Sequence, residues 1–335
     1  MPEIPPIPVP PIEPEEAFVR FGKWCAARPL AAALLLGCVG AVVYFLGFVT
    51  AFRVGTRSAM HWASEAWNSE NNQEHSWFIL PIVAWLVWYH RDEIQRARKA
   101  PSNAGLVWVV AGVAAFLLAA RTLQPRIAIF ALPLLTYGGV RFLWGRATAR
   151  VFVFPCLFML FMVPVGGFVQ GTVSLQLFVS SSVKMLSSLI GVQVATDGTG
   201  IRALDGTFNF DIAEGCSGIR SLMAMITLSA LYVHFTQRAA WKQWVIFGSS
   251  IVFALIGNIG RVFSVVVVAK FINEKLAGGL YHDWSGFVFF PVAVGAMVGF
   301  AKLLNLDWRK VVTDAAKPET PRAAKKSDGP VSYDY

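Results

Sequence analysis

A thiol, a fixed cation and an imidazole stand out in an otherwise apolar chain. Cys216 lies in the string Glu214-Gly215-Cys216-Ser217-Gly218-Ile219-Arg220, straight after a polar stretch and at the start of an apolar run. Arg261 sits inside a later apolar run, three residues after Asn258, and His282 opens the last run in Tyr281-His282-Asp283-Trp284-Ser285-Gly286. A thiolate with a nearby base and a positive charge is the equipment of cysteine-based acyl transfer. The partial positive charge of a helix start favours thiolate over thiol, and Cys216 is expected in the first turn of its helix. Gly215 and Gly218 beside it let a substrate backbone approach closely. A guanidinium inside a membrane span costs at least about 2.5–3.5 kcal/mol, so Arg261 must face a polar cavity or partner. Asn258 shares its helical face. An imidazole titrates near neutral pH and relays protons, which suits His282. Arg220, one turn inward from Cys216, is a second candidate cation, and His75 is a second imidazole for the same boundary.

Each of these residues also has a purely structural reading. Cys216 fits as a small residue at a helix start. Arg261 fits as a snorkelling side chain, or as the structural partner of an acid such as Glu214. His282 fits an aromatic interfacial belt. What raises all three is their expected convergence on one membrane face. His61, His90 and His234 read as interfacial residues, and Asp205, Asp211 and Asp283 show no metal-like arrangement. No metal or cofactor is expected, and no phosphate-cradling Gly loop or dinucleotide fingerprint is present.

The elements that must position these groups are membrane helices. Of 335 residues 56% are hydrophobic and 15% charged, and mean hydropathy is +0.55. Soluble domains sit near 25% charged, so the deficit marks a membrane protein. Spans are expected at about 29–52, 75–90, 104–120, 127–144, 150–168, 216–236, 243–268 and 286–304. The second is the shortest, apolar only from Trp77 to Tyr89, and the seventh holds Asn258, Gly260 and Arg261, where a break is expected. The first run follows a long polar lead with no small-residue cleavage site, so it reads as an uncleaved anchor. Fifteen Lys and Arg flank the spans on the face of the N-terminus against eight on the other. That bias places both termini in the cytoplasm and Cys216 with His282 outside. The net charge of +9 is spread between spans and in the tail, which fits membrane orientation and not nucleic-acid binding. Cys25, Cys38 and Cys156 lie in or beside apolar runs without disulfide or metal spacing, as small buried hydrophobes.

The expected organisation is a disordered Pro-rich lead (1–28), five membrane helices (29–168), an extracytoplasmic segment (169–215), the catalytic membrane helices (216–304) and a disordered basic tail (305–335). The fold class is an all-α polytopic membrane protein of about eight transmembrane helices. Within 169–215, Leu175, Phe178, Val179, Val183, Leu186 and Ile190 recur at helical spacing opposite Gln176, Ser180, Lys184 and Ser188. That pattern predicts an amphipathic helix on the outer leaflet. Asp197-Gly198 and Asp205-Gly206 then separate three short runs, the last alternating from Thr207 to Ile212, which predicts a three-stranded meander leading into Cys216.

The string Ala213-Glu214-Gly215-Cys216-Ser217-Gly218-Ile219-Arg220-Ser221-Leu222 resembles the exosortase/archaeosortase family of membrane transpeptidases. The resemblance extends through Asn258-Ile259-Gly260-Arg261, matching an Asn-x-x-Arg element, to His282 and Gly286, and covers roughly 70–300. It implies a cysteine protease-transpeptidase whose triad maps to Cys216, Arg261 and His282. It also implies partners: exported proteins with a C-terminal sorting tail made of a Pro-Glu-Pro-like motif, one transmembrane helix and a basic end. A bacterial inner membrane with the active site facing the periplasm is the implied setting. One departure is His75-Ser76, where the family often shows His-Gly.

Two other classes compete. A transporter would line a solute path with Arg261 and Asn258, and its transport would survive Cys216→Ala; no repeat-related halves support it. A glycan enzyme would lean on carboxylates or a metal, and the expected spans hold almost no acids. Thiol alkylation from outside discriminates, since it abolishes activity only in the cysteine enzyme. The acceptor nucleophile is left open by the sequence.

Overall fold

The computed structural model describes residues 22–23, 26–27, 29–47, 58–68, 71–164, 169–197, 200–211 and 218–306. Cys216 and Glu214, Cys25 and most of the two tails lie outside these. Helix α1 (Pro29–Gly47) is followed by α2 (Ala59–Ala66), a 3-10 turn (Glu74–Phe78) running into α3 (Ile79–Tyr89), and α4 (Arg91–Arg96). Then come α5 (Ala104–Thr122), α6 (Pro125–Phe158), α7 (Val169–Leu189), strands β1 (Val194–Asp197), β2 (Gly200–Ala203) and β3 (Asn209–Asp211), α8 (Ile219–Thr236), α9 (Ala240–Phe271), α10 (Glu274–Leu276) and α11 (His282–Asn305). Among the described residues five helices are long and apolar enough to cross a membrane: 104–122, 125–162, 219–236, 240–271 and 284–305. Helix α1, 19 residues without a charge, covers the first expected span.

The chain between 125 and 162 holds two expected spans. At Gly145 the backbone leaves helical geometry (φ 84°, ψ −175°), and a side chain there would run into the Ala100 carbonyl. Val140 before the break and Ala149 after it belong to one apolar cluster, so the two limbs share a core across the break. The first limb packs on α5 through glycines: an added Cβ at Gly112 would lie 2.8 Å from the Leu135 side chain and one at Gly138 2.7 Å from Val109 N. Close backbone approach through small residues is how helices associate in lipid.

The second expected span is an 11-residue helix, α3, too short alone to cross hydrocarbon. The 3-10 turn lengthens it into a rod, and both ends of that rod touch α8. Glu74 Oε2 lies 3.3 Å from Arg220 Nε at the α8 start, and His90 meets His234 in its last turn. The rod is thus joined to α8 at both ends.

Three corrections concern the segment around the site. First, α8 begins at Ile219, with Gly218 as its N-cap at φ 70°, three residues after the expected span start at 216; the expectation for Cys216 itself falls outside the described residues. Second, α9 runs unbroken through Asn258, Gly260 and Arg261. Gly260 serves packing instead: an added Cβ would come 3.1 Å from the Phe289 ring. Third, α7 forms as expected, but Gln176 and Ser180 of its polar stripe are buried with Val179 and Val183, while Phe178 and Leu189 are 55% and 76% exposed. The polar stripe is therefore split: Gln176 and Ser180 face protein, while Lys184 and Ser188 stay exposed. Ser180 is satisfied locally by donating to the Gln176 carbonyl at 2.9 Å.

The meander is antiparallel in the order β1-β2-β3, with Val194 opposite Ala203 and Ile201 opposite Phe210. With Val179 and Val183 of α7, it buries Val262, Val265 and Val266 of α9 in one core. A second core joins α8, α9 and α11 through Met225, Ile246, Ala254, Ala293 and Met297.

Candidate functional site

Helix α9 supplies the centre of the site. Ala254, Gly257, Asn258 and Arg261 follow the i, i+3, i+4, i+7 spacing of one helical face. On α11, Gly286, Phe289, Phe290 and Ala293 repeat it, and the two faces enclose a cleft of about 30 Å³ that Ser221 of α8 closes. That is room for a water molecule or two. Gly257 sets the spacing, since an added Cβ would lie 2.9 Å from the Ala293 methyl.

The Arg261 guanidinium lies between α9 and the start of α11. Its Nε donates to Ser285 Oγ at 3.0 Å, and its Nη2 donates to the His282 carbonyl at 3.1 Å. Ser285 Oγ donates to that same carbonyl at 2.8 Å, which closes a three-membered arrangement. Ser285 is buried, and the Gly286 Cα side of the turn lies against the guanidinium. Among the described residues no carboxylate pairs with Arg261, and both partners seen are neutral oxygens. Two of its five N–H donors are used in these bonds, leaving donors for a further acceptor.

Gly218 ties the start of α8 to the same face. Its φ of 70° is a left-handed conformation suited to glycine, and an added Cβ would fall 2.7 Å from Asn258 Cγ. Asn258 is buried and has little room to retreat. Ser221 Oγ donates to the Gly218 carbonyl at 2.9 Å, which fixes the turn further. Gly218→Ala is therefore expected to cost more than Gly191→Ala. Both positions have positive φ, but nothing lies within 4 Å of a Cβ at Gly191. The shared backbone strain is of order 1–3 kcal/mol; thermal unfolding of the two variants measures the additional clash, and equal shifts would refute the contact.

Of the residues singled out in the sequence, the structure puts Arg261 on the backbone carbonyl of His282, with Asn258 beside Arg261 in the cleft, and it places Gly218, two residues after Cys216, against Asn258. Arg220 reaches away to Glu74, the residue next to His75. Among the described contacts His75 touches neither Arg261 nor His282. Cys216 and Glu214 lie outside the described residues. Sequence reasoning assigned nothing to Ser285 or Glu74. Ser285 follows His282 by three residues, so it lies one turn on and on the same face, which was the available signal. Glu74 had none, because its partner is 146 positions away in the chain.

The end of the fold that carries the meander is braced by charge. Lys270 near the end of α9 pairs with Asp205 in the β2–β3 turn, and the Asn209 N–H donates to Glu274 at 3.2 Å. The Lys270 ammonium, with the Thr207 hydroxyl and N–H, holds the Asp205 carboxyl down to about 2. A carboxylate with a lowered folded-state pKa stabilises above its ordinary value of 3.8 and loses this only as pH falls towards 2. The brace thus stands at every physiological pH. Among the described residues no group of three or more His, Cys, Asp or Glu is arranged to hold a metal ion.

Several long apolar helices packed around a half-buried guanidinium define a multi-pass helical membrane protein. A family model described as transmembrane exosortase matches residues 67–299, more than half of the chain, and the chain belongs to that family. The match spans α3 to α11 and includes every residue of the cleft. Comparison with curated proteins and with solved structures returned no match.

Proposed function

We propose that this exosortase-family protein is a cysteine protease-transpeptidase that cleaves the C-terminal sorting tails of exported proteins at the outer face of a bacterial inner membrane. The observation that carries the reading is the Arg261 guanidinium, held by Ser285 and the His282 carbonyl with donors to spare and no acidic partner among the described residues. A structural Arg would be expected to spend its charge on a carboxylate.

In this reading the Cys216 thiolate attacks the scissile carbonyl. The carbonyl π electrons move to oxygen, and Arg261 stabilises that oxyanion. Collapse re-forms the C=O and breaks the C–N bond, and His282 gives its proton to the departing amine. The result is a thioester at Cys216. The acceptor, an amine, a hydroxyl or water, loses its proton to His282 as it adds, and the thiolate leaves. Asn258 shapes the turn at Gly218. Arg220 and, from the neighbouring turn, His75 support the entrance, with Glu214 as a further acid near the nucleophile. Two residues of chain span at most about 7 Å, so Cys216 is tethered to the turn that Asn258 contacts. No cofactor takes part. Partners are tail-bearing proteins and membrane lipids, with no role for nucleic acid.

The test is chemical. A membrane-impermeant thiol reagent applied to intact spheroplasts is expected to label Cys216 and stop processing of a tail-bearing reporter. Processing that continues with Cys216 fully labelled overturns the mechanism, and failure of Cys216 to label overturns the outward orientation.

A further inference from the structure

We propose that His90 and His234 form a transition-metal site at the end of the bundle opposite Arg261, where a bound ion clamps the rod of residues 74–90 to α8. The two imidazoles come from residues 144 apart in sequence, and their Nε2 atoms lie 3.3 Å apart. Zinc binds imidazole nitrogen at about 2.0–2.1 Å in tetrahedral geometry, which places two ligand nitrogens roughly 3.3–3.4 Å from each other. The pair already stands at that edge length.

Both rings are held in orientation. His234 stacks on Phe154 with centroids 3.7 Å apart and planes 2° from parallel, and the Tyr89 ring meets His90 edge-on at 5.1 Å. Behind His90, Glu93 Oε1 lies 3.4 Å from Nδ1, long for a hydrogen bond but close for a charge contact. A carboxylate behind a ligand imidazole favours the Nδ1–H tautomer and leaves the Nε2 lone pair for the metal. Without metal, one imidazole donates its Nε2–H to the other. On binding, the donor ring becomes the Nδ1–H tautomer, both Nε2 lone pairs turn to the ion, and no net proton is released from a neutral pair. Arg91, the residue after His90, is drawn off over the Trp88 ring. The His90 side chain is 16% exposed, which leaves an opening for water in the remaining coordination positions.

The tetrahedral edge suits zinc, and copper(II), which binds imidazole more tightly but prefers tetragonal geometry, serves as the spectroscopic probe of the same two nitrogens. The structural consequence of the site follows from the rod, whose other end is fixed by Glu74 and Arg220. A metal at His90 and His234 turns the weaker of the two end contacts into a coordinate bond.

The test uses full-length protein in detergent micelles, purified without a polyhistidine tag and titrated with Cu2+ under electron paramagnetic resonance. One equivalent with two coordinated nitrogens is expected. His90→Gln and His234→Gln should each weaken binding at least about 10-fold, while His61→Gln, at an exposed pair with Glu65, should not. Binding unchanged in the double variant, or a wild-type spectrum without two nitrogens, overturns the site. Should the variants fail to fold, wild-type protein still decides. Zn2+ must protect His90 and His234, and not His61, from diethylpyrocarbonate, and equal modification with and without Zn2+ overturns the proposal.

Discussion

Cys216→Ala is expected to abolish processing of a co-expressed tail-bearing reporter, with a loss of at least about 10³-fold in rate. Removing the nucleophile from a covalent mechanism leaves only binding and oxyanion stabilisation, which sustain a small residue of the rate. Cys216→Ser keeps the size of the side chain but replaces a thiolate with a hydroxyl that is hardly ionised near neutral pH, so it should be almost as inactive. The measurement is the ratio of full-length to cleaved reporter over time, at matched membrane levels of each variant. Cys156, buried in the second limb of α6, is the control: Cys156→Ala should keep activity. Processing retained in Cys216→Ala would return the chain to the transporter reading, in which Arg261 and Asn258 line a path and no thiol is needed.

Arg261→Lys should lose about 10²–10³-fold in kcat with little change in KM. A lost oxyanion donor costs this much in acyl transfer, and Lys cannot replace a fork that reaches Ser285 Oγ and the His282 carbonyl together. The same two bonds also clamp the start of α11, so a structural role must be separated from a chemical one. Ser285→Ala separates them. It removes the Nε contact and leaves the guanidinium, so a pure clamp predicts similar losses in both variants. The oxyanion role predicts that Ser285→Ala, short of one hydrogen bond to a charge at roughly 1.5–3 kcal/mol of stability, keeps most of its turnover. Equal losses in kcat would assign Arg261 to structure.

Much of this site was legible before any coordinates. The face shared by Asn258 and Arg261 is a matter of helical spacing, and α9 presents it as expected. The meander followed from Asp-Gly turns between alternating runs. What misled was the meaning of polarity and of glycine in an apolar setting. Gln176 and Ser180 were expected on the polar face of α7, but both are buried against protein while Lys184 and Ser188 stay exposed, and a serine that bonds its own helix can be buried cheaply. Gly260 looked like a break and is a packing notch for Phe289. Gly218 caps the start of α8, three residues later than expected, against Asn258.

The sequence alone determined the class of molecule. Its charge deficit, apolar runs and the Cys, Asn-x-x-Arg and His strings point to an exosortase-type membrane protein, because composition and short motifs report what each segment must be surrounded by. Only the tertiary structure decided which segments meet: Arg261 with Ser285 and the His282 carbonyl, Glu74 with Arg220, His90 with His234. The physical reason is that periodicity describes the faces of one helix at a time. The register between helices is set by small-residue notches such as Gly257 against Ala293, where packing of distant segments fixes the distances on which chemistry depends.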